Sequence, residues 1–197
     1  MRQGDQRAEQ RAAGGITDGT IRMSVGLEHK DDIIAIVLTH AHEDHIGALG
    51  WLWPRLPAPV YATPFTAALV REKLRERGLD GEAPLHIMQL QETRKFGPFE
   101  VELVTLTHSI PEPNGLAIRT PLGTILHTGD WKIDPDPIIG EDFDQAKIEQ
   151  LGREGILAMV CDSTNVFEEG EAGSEGMARE ALRRAVAEQT GRVAITS

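Results

Sequence analysis

The stretch LTHAHEDHIGAL, residues 38–49, decides how the rest of this sequence is read. It holds His40, His42 and His45, three of the seven histidines in a chain of 197 residues, together with Asp44. It overlaps the end of DIIAIVLTH (32–40), a β-branched apolar run suited to a buried strand. On extended backbone, residues two apart face the same way, so His40 and His42 converge on one point. Asp44 and His45 follow where a helix would begin and can face a neighbouring point. Neutral imidazole and carboxylate are good ligands for zinc or manganese. Two such ions close together can share a hydroxide, activate it near neutral pH and stabilise an in-line displacement. A histidine-rich surface loop and a single structural zinc are the alternatives. Structural zinc prefers cysteine, and Cys161 is the only one here. The density and spacing of the ligands therefore favour a catalytic metal site.

More ligands must come from elsewhere. FEVELVTLTH (99–108) alternates apolar and polar residues and reads as a half-buried strand ending on His108. GLAIRT and TILHTGD flank PLG (121–123), which reads as a hairpin whose second strand ends on Asp130. Both residues stand at strand ends, where active-site loops gather. His108 is expected as a ligand and Asp130 as a carboxylate bridging two cations; a structural histidine and an Asx turn are the plainer readings. His127 is a candidate for orienting a ligand from behind, or a packed strand histidine. Asp162, in CDSTN, suits a turn cap better than a site role. His29 and His86 read as surface residues, Cys161 as buried packing, and Trp51 and Trp53 as packing behind the metal loop.

The other elements complete a mixed α/β pattern. Residues 45–56 predict a short helix broken near Pro54, and VYAT (60–63) a strand. Thr63 and Pro64 open a helix to about Arg77, stopped by Gly78. Residues 143–152 predict a helix ending at Gly152, 156–163 another buried strand, and 174–191 an amphipathic helix capped by Ser174. RVAITS (192–197) begins one more strand, so the sequence reads as a piece of a longer protein. Residues 1–26 are polar and aperiodic and are expected to be irregular or disordered. One cysteine permits no intrachain disulfide and fits a reducing cytoplasm. No apolar run approaches the roughly 20 residues of a membrane span. A net charge of −11 argues against a large footprint on nucleic acid, unless bound cations change the local sign.

THAHEDHIGAL is similar to the H-x-H-x-D-H signature of the metallo-β-lactamase superfamily. YATPFTAALVREKL, VTLTHSIPEPNGLAIRTPLGTILHTGDWKIDP and CDSTNV narrow the resemblance to the ribonuclease J family, over residues 27–197. The resemblance implies an incomplete αββα sandwich, without the β-CASP and C-terminal parts of that family. It implies two divalent ions, zinc foremost, with manganese or magnesium as alternatives. His40, His42 and His108 would hold one ion, Asp44 and His45 the second, and Asp130 both, with Asp44 also orienting the attacking water. The implied activity is 5′→3′ exonucleolytic and endonucleolytic cleavage of RNA, in an enzyme that is oligomeric at full length. In isolation the present chain is expected to be a weak nuclease. A hydrolase of a small ester or thioester, and an inactive fragment, are the competing readings.

Overall fold

A computed structural model describes residues 30–195. Residues 1–26, with the irregular structure expected of them, and His29 lie outside the described residues.

Two sheets form the middle of the molecule. The first is parallel, in the order β1 (Ile36–Val37), β2 (Val60–Ala62), β3 (Leu85–Ile87). The second runs β4 (Thr93–Phe96), β5 (Phe99–Thr105), β6 (Asn114–Thr120), β7 (Gly123–His127), β8 (Ile156–Val160). Its first four strands are antiparallel neighbours, and β8 joins β7 in parallel. The single turns α1 (Glu43–Ile46) and α2 (Leu49–Leu52) and the long helix α3 (Pro64–Glu76) cover the first sheet. Helix α4 (Gln145–Glu154) covers the second, and α5 (Glu175–Ala187) follows β8.

Side-chain alternation explains the layers. In β5, Val101 and Leu103 point inward and pack with Met88, Phe96, Val37 and Tyr61 between the sheets. Val104 faces the other way, with Ala117, Leu126 and Leu151 of α4. On the outer side of the first sheet, Leu38, Val60 and Ala62 meet Ala67, Val70 and Leu74 of α3 and Ile46 of α1. The order helix, sheet, sheet, helix is the expected αββα sandwich. Beneath α4, the buried carboxylate of Glu102 binds Lys147 and Arg119 at 2.7 Å each. Burial alone would raise its pKa, but the two cationic hydrogen bonds outweigh that and lower it.

Several expectations change. The strand expected over 32–40 is regular only at Ile36–Val37, although Leu38 continues the pairing onto Tyr61. The helix expected after His45 is two single turns. Thr63 does not cap α3 with its hydroxyl, which donates to Thr66; Glu112 instead accepts from the Phe65 amide. Gly152 lies inside α4, which begins at the Asp144 cap and ends at Gly155, whose φ of 91° suits a glycine stop. Ser174 caps α5 as expected, but the helix ends at Ala187, ahead of Gly191. Residues 192–195 form no strand. The apolar run at 156–160 is not buried. As an edge strand β8 leaves Leu157, Met159 and Val160 more than half exposed, and Cys161 is exposed too. Trp53 packs against the outer core and donates to the Ala58 carbonyl. Trp51 is instead exposed, with the Arg77 guanidinium 3.4 Å above its ring centre.

Candidate metal centre

Strands β5 and β7 are both antiparallel to β6, so they run the same way and their ends open on one side. His108 lies three residues past β5, and Asp130 three past β7. The chain leaving β1 brings His40 and His42 to the same side. His42, extended at φ −64° and ψ 149°, starts α1 without using its side chain as a cap. Asp44 and His45 lie within that first turn. Asp130 follows Gly129, whose φ is 59°. A Cβ on Gly129 would stand 3.1 Å from the Asn114 carbonyl and 3.2 Å from Thr39, so both conformation and space require glycine there.

Four strand ends and turns thus deliver two overlapping groups. His40, His42, His108 and Asp130 form one; Asp44, His45 and Asp130 form the other. Within each group the ligand atoms lie within 4.8 Å of one another. The Asp130 Oδ2 stands 3.2 Å from His45 Nε2 and 3.9 Å from both His40 Nε2 and His108 Nε2. Asp44 Oδ2 lies 3.6 Å from His45 Nε2, and its side chain is largely exposed.

The donors fit metal ions. His40 is fully buried, and its Nε2 has no hydrogen-bond partner among the described residues. Its Nδ1 lies 3.1 Å from the Thr39 hydroxyl, leaving Nε2 to face the cluster. A buried nitrogen left unpaired is costly unless something occupies it. His42 Nδ1 and His108 Nε2 are 3.0 Å apart, within reach of an N–H···N bond whose direction follows the tautomers, and close enough for both nitrogens to face one cation instead. The charged imidazolium form is disfavoured, which leaves neutral donor nitrogens: burial, then the neighbouring His45 and His108, push His40 from 6.5 down to about 4. Burial and then His42 lower His108 as well.

This has a consequence for the metal-free chain. Between pH 6.5 and about 4, folded His40 holds fewer protons than unfolded His40, so stability rises with pH across that window. On acidification the stability should fall by about 3 kcal/mol, at 1.36 kcal/mol per pH unit, and the loss should level off below about pH 4. Denaturant unfolding with a chelator present, at pH 7.5 and 4.5, measures it. The same loss in His40→Gln would assign the effect to other groups.

His127 and Asp162 lie just behind. His127 Nδ1 accepts from the Gly129 amide at 3.0 Å, and so supports the turn before Asp130 rather than a ligand's side chain. Asp162 caps its own turn, accepting from the Thr164 amide and hydroxyl, and those bonds lower its pKa. Its charge also favours protonation of His108. Two residues that the sequence reading passed over stand beside the candidate ligands: the Thr39 hydroxyl lies against His40 Nδ1, and Thr107 bonds the segment two residues beyond Asp130. A signal was present: threonine directly precedes His40 and His108.

Comparison with known proteins gives the family. The model of the metallo-beta-lactamase superfamily matches residues 15–193. A ribonuclease J of Sinorhizobium meliloti is 49% identical over 170 residues, covering 86% of this chain and 30% of that protein. One from Thermus thermophilus is 42% identical over 183 residues, covering 89% and 32%. The chain thus spans about a third of the length of these relatives. Among solved structures, a protein of unknown function from Enterococcus faecalis V583 has a TM-score of 0.58 at 21% identity, over 87% of this chain and 43% of that one.

Proposed function

The chain belongs to the metallo-β-lactamase superfamily, and from that premise we propose that it is the metal-binding part of a ribonuclease of the ribonuclease J type. The observation that carries the reading is Asp130, the one residue common to both ligand groups among the described residues. His40, His42 and His108 would hold one divalent ion, Asp44 and His45 the second, and Asp130 both, with zinc foremost and manganese or magnesium as alternatives. Two such ions supply Lewis-acid charge for an in-line phosphodiester displacement and a water acidified toward neutral pH.

The chain's own residues then have distinct work. Asp130, 3.2–3.9 Å from the surrounding histidine nitrogens, would balance the charge of two cations held there. Asp44 is exposed enough to meet solvent and can orient a water or take its proton at Oδ2. Thr39 fixes the ring of His40. His127 holds the Gly129 turn, and Asp162 adds a negative charge near His108. Bound cations would also offset, at the site, the chain's net charge of −11, which otherwise repels RNA.

RNA is the proposed substrate, cleaved from the 5′ end and internally, in the cytoplasm, by an oligomeric enzyme. The two relatives described above are named ribonuclease J, which supports RNA over a small ester or thioester. Among the described residues no helix is long and apolar enough to cross a membrane. A substrate panel tests the reading on the protein as its own gene encodes it. Labelled 5′-monophosphorylated RNA, a chromogenic lactam and a thioester are each incubated with manganese or zinc. RNA cleavage that a chelator abolishes is expected. Turnover of the lactam or thioester with intact RNA would select the small-substrate hydrolase.

A further inference from the structure

We propose that Thr107 is a positioning residue for the metal centre: its hydroxyl clasps the segment behind Asp130 to the strand end that carries His108. The inference rests on the metal reading above and adds what holds two of its ligands in register. Thr107 is 2% exposed and directly precedes His108. Its backbone makes an isolated antiparallel bridge to Lys132, two residues beyond Asp130, and its carbonyl accepts from the Lys132 amide at 3.0 Å. The side chain adds two more bonds. The hydroxyl donates to the Lys132 carbonyl and accepts from the Asp134 amide at 3.2 Å.

A hydroxyl has one proton to give and lone pairs to receive, and Thr107 uses both on the same neighbouring segment. That segment is anchored farther on as well. The buried Asp134 carboxylate binds Lys132 Nζ at 2.8 Å and accepts from the Asp136 and Glu175 amides at 2.9 Å each. Upstream, His127 holds the Gly129 turn. Asp130 therefore hangs between two fixed points, and Thr107 ties the second of them to His108. Without the hydroxyl, the part-buried Lys132 carbonyl and the buried Asp134 amide lose their partner, and the segment relaxes to recover one. The 3.9 Å spacing between His108 Nε2 and Asp130 Oδ2 would relax with it. Packing alone does not explain the residue, because valine fills the same volume.

Cobalt(II) titration of the full 197-residue chain, followed by its visible absorption, tests this apart from activity. Thr107→Val should weaken cobalt binding by roughly 10-fold or more and alter the absorption envelope, as loss of supporting hydrogen bonds does at other metal sites. Thr107→Ser, which keeps the hydroxyl, should stay within about threefold of wild type. Leu151→Ala, a core truncation in α4, should lower the melting temperature yet keep the wild-type cobalt spectrum and affinity. If Thr107→Val does not fold, Thr107→Ala takes its place with the same expectation. Wild-type cobalt binding by the hydroxyl-free variant overturns the clasp, as does an equal loss in Leu151→Ala. Failure of the wild type itself to bind cobalt, or binding unchanged in His40→Ala/His42→Ala, overturns the metal reading instead.

Discussion

Dialysed beside the wild type, the His40→Ala/His42→Ala double variant is expected to retain less than about a tenth of the metal. The wild type should carry at least one zinc or manganese per chain. Disturbing a residue that merely supports a ligand costs about 10–100-fold in affinity, and this variant removes two ligands outright. The remaining His108 and Asp130 would hold the first ion with one nitrogen and one shared oxygen. The scaffold should survive. His40 gives up only its contact with the adjacent Thr39 hydroxyl and His42 its contact with His108, and His42 is not a helix cap. Elemental analysis together with a circular dichroism melt separates the two effects. Equal metal content in folded wild type and variant would remove these histidines from the site.

Asp130→Asn carries the second large effect. In the protein as its gene encodes it, RNA hydrolysis should fall by about 100-fold or more, a loss of the size seen when one preorganised electrostatic contact at a reacting centre is deleted. The amide keeps the shape of the carboxylate but not the charge that balances two cations. The side chain is one-third exposed, so folding should change little, within about 0.5 kcal/mol. Single-turnover rates on 5′-monophosphorylated RNA, with a thermal melt of the same sample, give both numbers. A variant that hydrolyses RNA at close to the wild-type rate would reduce Asp130 to a turn residue.

The candidate site was legible because its candidate ligands sit where local pattern and chemistry coincide. His40 and His42 are two apart on extended chain, and His108 and Asp130 close strands whose alternation is plain. The sequence could not show that β5 and β7 end on the same side, since that follows from their shared neighbour β6. Thr39 and Thr107 were hidden for a related reason. Thr107 bonds Lys132, 25 residues along, and Thr39, whose hydroxyl pairs with the adjacent His40, stands against Gly129, 90 residues away in sequence.

The fold was read unevenly, and the misses have physical causes. β4 was overlooked because TRKF shows no apolar run; it is an edge strand, where charged side chains discourage pairing with another chain. β3 is three residues long, with the exposed His86 at its centre stacked on Tyr61. β8 was taken as buried because apolar runs imply burial on both faces. Pairing with β7 alone leaves much of it open among the described residues. Trp51 went the other way for a local reason, since Arg77 offered its ring a partner at the surface.

Anomalous diffraction at the zinc edge, from crystals grown with zinc, addresses the shared-carboxylate centre most directly. Two peaks are expected in one cluster, the first against His40, His42 and His108, the second against Asp44 and His45, with Asp130 touching both. A single peak that leaves Asp130 or the Asp44–His45 pair out, or zinc bound only elsewhere on the chain, would contradict a two-ion site.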